Sequence, residues 1–395
     1  FREWLPAFAG MTCLGLGAGL MSIFGFFVED LATEFETGLA AINAGPVALL
    51  LVPGINGPLV GRLVDRVPVR RLMFAGATIG MVSLGLVSQA PSLLLAALAF
   101  LGFALGMSFY GPVVVNAMLV RRFVHREARA LAIAAMGISF ASMILPPLVG
   151  FMLSIMDWRS TLLCLSLVLL VVLWLVIGGA IEEGDGAVTK TEDKTSDNSF
   201  YRQAPFWLIG VCLALAFNVS IILSLVYAPY FLDEGFSVAQ AGWFVSFAGL
   251  GGFSGKLLIA WLADSLRAFA KWIAVVLLLL QVVGLFILLS FDQSAGVLVA
   301  LFLLGFGGGG MIPIHPYLNS RYFEATIIGQ VNGAQMPIFL PFGLIGAPLA
   351  GYAYDQFGSY VPVVQVLVAV LFVAAAMVVA LPGSAAGGQA CLLYT

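Results

Sequence analysis

The sequence predicts an all-α polytopic membrane protein, with twelve transmembrane helices arranged as two pseudo-symmetric six-helix bundles. Three observations carry this. Of 395 residues, 62% are hydrophobic and 9% are charged, where a soluble domain carries about 25% charge. Apolar runs long enough to cross a bilayer recur along the chain, without the polar and apolar alternation of a barrel strand. The second half also repeats features of the first at an offset of 199 to 201 residues.

Each span follows from an apolar run bounded by a short polar stretch. The first six are expected at 5–30, 40–62, 70–89, 92–120, 128–156 and 159–181, the second six at 204–232, 238–263, 268–290, 294–320, 326–354 and 359–381. The first run has span length and reads as a transmembrane helix rather than a cleaved leader. Residues 182–203, EEGDGAVTKTEDKTSDNSFYRQ, are hydrophilic and read as a flexible cytoplasmic linker. The expected domains are bundles 1–181 and 204–382, joined by the linker 182–203 and followed by a tail, 383–395.

These spans use up the chain and leave no room for a soluble catalytic domain. No Walker loop, metal-ligand spacing or nucleophile triad occurs in the sequence. The chain therefore reads as neither an enzyme nor a primary pump, with no cofactor, no metal and no nucleic-acid partner. Cys13, Cys164 and Cys212 fall in apolar runs and Cys391 in the tail, and all read as inert thiols.

Charge placement gives orientation. With a cytoplasmic N-terminus, Arg2, Arg62, Arg66, Arg70, Arg71, Arg121, Arg122, Arg126, Arg129, Lys190, Lys194, Arg202, Arg267, Lys271 and Arg321 all face the cytoplasm. Arg159 alone faces out, and Lys256 lies inside a span. Both termini are expected inside, in a cytoplasmic or plasma membrane.

The repeat is legible in particular segments. GRLVDRVPVRR at 61–71 lines up with AWLADSLRAFAK at 260–271, matching Asp65 to Asp264. RRFVHREARA at 121–130 aligns with SRYFEATIIG at 320–329 after a one-residue shift, and PPLVGFML at 146–153 with APLAGYAY at 347–354. Paired six-helix repeats mark transporters whose site lies between the halves near mid-membrane.

GRLVDRVPVRR resembles the cytoplasmic loop motif of the major facilitator superfamily; its second copy is degenerate, with Ala260 for the glycine and Phe269 and Ala270 for the arginines. GFFVEDLATEF, ALGMSFYGPVVVNAMLVRRF, MGISFASMILPPLVGFMLSIMDWRS and GYAYDQFGSY resemble the monocarboxylate porter and oxalate-formate antiporter branch. The resemblance implies the major facilitator fold and a gating role for Gly61, Asp65, Arg66, Arg70 and Arg71. Physically, Gly61 allows close helix approach, and Asp65 among Arg62, Arg66, Arg70 and Arg71 is placed for a charge network. Asp264 is the matching acid in the second half. A solvated loop that serves only orientation is the plainer alternative.

Lys256 is the sharpest feature, a cation about 16 residues into the eighth span. Such a charge costs at least about 2.5 to 3.5 kcal/mol on insertion scales, so a watery cavity or a partner is expected around it. By resemblance, Gly255-Lys256 stands where this branch usually has Gly-Arg, an arginine that holds the substrate carboxylate. Lysine offers a point charge in place of a planar fork. Gly252 stands where proton-coupled relatives often carry an acid. Snorkelling or a structural ion pair are the other readings of Lys256.

The remaining candidates are softer. His315 is the sole intramembrane histidine of the sequence and reads either as a proton relay or as a packing residue. The run Gly307 to Gly310 before it is expected to loosen or thin that helix. Tyr110, ahead of Gly111-Pro112, matches a family tyrosine that faces substrate. Asn218 stands at the midpoint of the seventh span, Ser220, Ser224 and Tyr227 read as one polar stripe at helical spacing, and Asn332 and Gln335, with Asn56 and Asn116, add amides that serve either substrate or helix association. Glu29 and Asp30, with Glu34 and Glu36, close the first span as a solvated rim or as outer proton acceptors.

The expected function is secondary transport of a small organic anion, a monocarboxylate or short dicarboxylate, by alternating access as proton-coupled symport. Lys256 would bind the anion, with Tyr110, Asn218, Ser224, Tyr227, His315, Asn332 and Gln335 around it, and with His315, Asp30 and Glu29 as proton sites. Partners would be the anion, protons and lipid, with the chain a monomer. Carboxylate exchange is the alternative coupling. Broad efflux of hydrophobic compounds, suggested by 31 Phe and 13 Met, and a non-transporting receptor are the competing functions.

Overall fold

The structure, a computed structural model, describes residues 2–38, 42, 45–184, 198–233, 235, 238–290 and 294–383. Most of the expected linker and tail, with Lys190, Lys194 and Cys391, lies outside the described residues. Among the described residues there is no strand. That is the solution hydrocarbon imposes, since a helix satisfies its own backbone polar groups where water is absent.

Fourteen α-helices are described here. They are α1 (Leu5–Ile23), α2 (Val28–Glu34), α3 (Gly45–Val64), α4 (Val69–Ser88), α5 (Leu93–Tyr110), α6 (Pro112–Arg122), α7 (Glu127–Ile155) and α8 (Trp158–Ala180), followed by α9 (Ala204–Asp233), α10 (Val238–Leu262), α11 (Ala270–Ser290), α12 (Ser294–Tyr322), α13 (Ile328–Phe357) and α14 (Val361–Val379). Among the described residues, eleven helical stretches are long and apolar enough to cross a membrane, and Ser246–Leu262 within α10 is a shorter apolar helix. With α10 counted whole, twelve spans result.

Two spans expected to be continuous are broken. The first passes from α1 through a 3-10 turn, Phe24–Phe27, into α2. The fourth divides at Gly111, whose φ of −83° and ψ of −162° leave the helical region before Pro112 opens α6. Proline disfavours the α conformation in the residue before it and donates no amide, so this break is written in Gly111-Pro112. Pro146 and Pro147 leave α7 helical throughout Glu127–Ile155.

Clustering of contacts divides the chain into two compact units. One falls within Phe1–Val124, Ile133–Thr191 and Ala325–Met336, the other within His125–Ala132, Glu192–Glu324 and Pro337–Thr395. In the first unit α3 packs on α5, α4 on α5 and α8, and α1 on α8; in the second α10 packs on α12, α11 on α12 and α14, and α9 on α14. The same pairings in the same order are the structural form of the repeat read in the sequence. Cys13 and Cys212 are buried, as expected of inert thiols, whereas Cys164 is exposed on α8.

Candidate functional site

Lys256 reaches its position through glycine. A methyl group at Gly251 would fall 2.3 Å from the Phe302 carbonyl oxygen, one at Gly255 2.1 Å from that of Phe306, and one at Gly309 2.3 Å from that of Gly252. Only residues without a side chain permit α10 and α12 to pack backbone against backbone in this way. Lys256, one position after Gly255, is carried into the interior at 4% exposure.

The run Gly307 to Gly310 does not loosen α12, which stays helical from Ser294 to Tyr322. It thins the helix on several sides at once. A side chain at Gly307 would meet the Leu277 carbonyl of α11, at Gly308 the Ser220 hydroxyl of α9, at Gly309 the backbone of α10, and at Gly310 the Leu277 side chain.

That thinning leaves a cavity of about 200 Å³ inside the second unit, lined by Ala216, Phe217, Ser220, Tyr227, Ala248, Gly308 and Gly309 among others. The polar stripe expected along α9 from Ser220, Ser224 and Tyr227 shares one face, from which Asn218 is turned away. At 100° per residue, Asn218 points about 160° to 180° away from Ser220 and Tyr227. Ser220 and Tyr227 line the cavity, while Asn218 directs its Oδ1 at Gly346 of α13, buried and without a hydrogen-bond partner. Ser224 is exposed and donates its hydroxyl to the Ile221 carbonyl at 2.7 Å.

His315 is 4% exposed. Its Nε2 lies 3.2 Å from Asn319 Nδ2, and its ring meets Phe339 edge-on at 6.2 Å.

Tyr110, Asn332 and Gln335 belong to the first unit. Tyr110 is fully buried, with its ring near Gly17 of α1 and its hydroxyl without a hydrogen-bond partner. Asn332 and Gln335 are 1% and 0% exposed. Glu29 and Asp30 are exposed. Their neighbour Glu34 accepts from Arg159 at 2.8 Å, and Arg159 also donates to the Ser88 carbonyl at 2.6 Å.

The loop motif forms a different network from the one expected. Asp65 pairs with Arg121 at the end of α6, and both side chains are about 5% exposed or less. The four arginines of its own loop go elsewhere. Arg70 donates to the Gly178 carbonyl at 2.9 Å, Arg71 reaches Glu183 at 3.8 Å in an exposed pair, and Arg62 and Arg66 are exposed. Asp65 also accepts from the amide of Gln330, in the first turn of α13, at 3.0 Å. Arg121 completes the join through the carbonyls of Val64 and Ala325, at 3.1 and 2.9 Å. Beneath them Gly57 and Gly61 face Gly333 and Gly329, where a methyl at Gly61 would sit 2.3 Å from the Gly329 carbonyl oxygen.

Asp264 makes the matching join in the second unit. It accepts from the amides of Ala128 and Arg129, in the first turn of α7, at 2.9 and 3.0 Å. Arg129 returns a bond to the Ala260 carbonyl at 2.9 Å, and Arg267 donates to Glu127 at 2.9 Å. Each acid therefore sits at a foreign helix N-terminus, where free amides and the helix dipole favour an anion. Burial pushes the Asp264 carboxyl above the usual carboxylate range, and the amides of Arg129 and Ala128 pull it back only in part. The anion is thus less well solvated here than in water, which makes this a poised contact rather than a strong one.

Missed in the sequence were Arg121 as partner of Asp65, the Arg267–Glu127 pair and the helix-start amides. The glycine contacts had a readable signal, because Gly57/Gly61, Gly251/Gly255, Gly305/Gly309 and Gly329/Gly333 are all spaced Gly-x-x-x-Gly.

Comparison with known proteins places this architecture. The family model described as Major Facilitator Superfamily matches residues 8–343. Human monocarboxylate transporter 11 is 26% identical over 374 residues, covering 90% of this chain and 78% of its own. Rat monocarboxylate transporter 13 is 24% identical over 390 residues, covering 96% and 89%. Among solved structures, a bacterial homologue of the iron transporter ferroportin superposes with a TM-score of 0.74 at 16% identity, over 96% of this chain and 98% of that one, a likeness of fold alone. These relatives are transporters and not enzymes, and the chain is an integral membrane protein that belongs to the Major Facilitator Superfamily.

Proposed function

We propose that the protein is a secondary transporter of small organic anions, monocarboxylates or short dicarboxylates, and that Lys256 binds the carboxylate. The observation that carries this is a lysine 4% exposed within a membrane-spanning helix, a helix whose Ala248, two turns away, lines a cavity. Ionisable side chains in such places are expensive and mark substrate or ion pathways. Relatives named for monocarboxylate transport that span nearly the whole chain favour the same reading. A buried cation argues against broad efflux of cationic hydrophobes, which would meet like charge there.

The reading has the transporter working by alternating access in a cytoplasmic or plasma membrane, with both termini inside, as the basic residues suggest. The joins at Asp65 and Asp264 would then lie on the cytoplasmic side and part when the transporter opens inward. Proton symport is the proposed coupling. His315, a buried imidazole within hydrogen-bond reach of the Asn319 amide, is the candidate proton site, since imidazole is the side chain whose ordinary titration falls near neutral pH. Glu29 and Asp30 remain candidates at the exposed rim.

Uptake of labelled carboxylates into proteoliposomes tests the reading. Lys256→Gln and Lys256→Ala are expected to lower uptake at least about a hundredfold while the purified protein stays monodisperse. Transport at wild-type rates by both variants would overturn it. An imposed inward proton gradient is expected to stimulate uptake; uptake indifferent to the gradient but dependent on internal substrate would replace symport by exchange.

A further inference from the structure

We propose that the cavity against α12 receives the apolar tail of the substrate, so that the protein selects carboxylates bearing a branched or aromatic tail over compact ones. The inference rests on the reading that Lys256 takes the carboxylate, and it adds which carboxylates fit.

Ala248, Gly252 and Lys256 follow one another at four-residue intervals along α10 and share a face. Ala248 lines the cavity, and Gly252 packs against Gly309, which lines it as well. The lining residue of α10, Ala248, therefore lies two helical turns, about 12 Å along the axis, from Lys256. Side chains on a helix lean toward its N-terminus, which from Lys256 is the direction of Gly252 and Ala248. A carboxylate held by the ammonium is thus delivered with its tail facing the cavity.

Size and polarity decide what fills it. A dry engineered cavity of about 150 Å³ admits benzene, and this one is about 200 Å³. Its polar lining offers little to a polar tail, since the Ser220 hydroxyl is engaged by the Ala216 carbonyl at 3.3 Å. The Tyr227 ring stacks on Phe231 at 6.0 Å, holding an aromatic plane at the cavity wall. Formate, oxalate or lactate would leave the space unfilled, whereas an isobutyl or phenyl group would fill it. The space exists because Gly308 and Gly309 have no side chains; a methyl at Gly308 would reach to 2.9 Å from the Ser220 hydroxyl.

Lactate, 2-hydroxy-4-methylpentanoate and 3-phenyllactate share one carboxylate head and differ only in the tail. In proteoliposomes the wild-type chain is expected to take up the two larger acids with kcat/KM at least about tenfold above lactate, the range one or two well-placed methylenes command in an apolar pocket. Ala216→Leu, which fills the cavity, is expected to reduce that ratio at least tenfold. Met311 of α12 also lines the cavity, and Met311→Ala, which enlarges it, is expected to raise the ratio for 3-phenyllactate over 2-hydroxy-4-methylpentanoate. Should Ala216→Leu fail to fold, Ala216→Val and Met311→Ala carry the same comparison. Lys256-dependent uptake whose tail preference is the same in all variants overturns this inference and leaves the role of Lys256 standing. No carboxylate uptake by the wild-type chain overturns both.

Discussion

The Tyr110 hydroxyl is fully buried and has no hydrogen-bond partner, an arrangement that costs roughly 1 to 3 kcal/mol in a folded protein. Phenylalanine at this position keeps the ring against Gly17 and removes the orphaned oxygen. Tyr110→Phe is therefore expected to leave the melting temperature unchanged or slightly raised. If the hydroxyl serves substrate, the same variant raises KM severalfold; a lowered melting temperature with unchanged KM would assign Tyr110 to packing alone. The sequence singled out Tyr110 through its match to a family tyrosine, whereas the break that follows it at Gly111 interrupts a span expected to be continuous. The role of Ser224 was not legible there, because a serine hydroxyl on a helix has a backbone carbonyl always within reach, and its Ile221 bond uses that option.

At the scale of elements, the helices were legible because hydropathy alone reports which runs can dwell in lipid. How they pack was written in the Gly-x-x-x-Gly spacing, but composition arithmetic treats 45 glycines as one class and hides which of them face each other. Gly255 shows the difference. A methyl there would lie 2.1 Å from the Phe306 carbonyl oxygen and 3.1 Å from the Gly310 amide nitrogen, both backbone atoms that cannot swing aside. Gly255→Ala is thus expected to push α10 from α12 and to lower the melting temperature by several degrees, the behaviour of an overpacked core change of about 1 to 3 kcal/mol. Gly249, with nothing within 4 Å of its added methyl, is the control on the same helix; Gly249→Ala is expected to leave stability within about 0.5 kcal/mol. Equal losses from both would remove the case for backbone contact.

Over the whole molecule, the repeat in the sequence becomes a repeat of mechanism, because Asp65 and Asp264 each close onto the first turn of a helix far along the chain. The sequence placed the two acids in register but paired Asp65 with its nearest arginines. Arg62, Arg66 and Arg71 are exposed and solvated and Arg70 is turned to the Gly178 carbonyl, whereas Arg121, buried beside Asp65, has no water to replace the contact. The two joins differ in strength for the same reason. Asp65 combines one helix-start amide, that of Gln330, with a buried ion pair, whose loss costs about 3 to 5 kcal/mol. Asp264 has two amides, whose loss is of the order of an N-cap, about 0.5 to 2 kcal/mol. Val64 and Ala263 are 1% and 0% exposed beside the two joins, so cysteines there report opening through maleimide labelling in a background without Cys164 and Cys391. Asp65→Ala is expected to speed labelling of Val64→Cys at least about a hundredfold, and Asp264→Ala to speed labelling of Ala263→Cys about tenfold or less, since about 1.4 kcal/mol is a factor of ten. Arg121→Ala alone should match Asp65→Ala, and the double variant should add little to either, as groups acting as one unit do. Equal acceleration at the two joins, or additive effects of Asp65 and Arg121, would show that helix-start amides alone hold both.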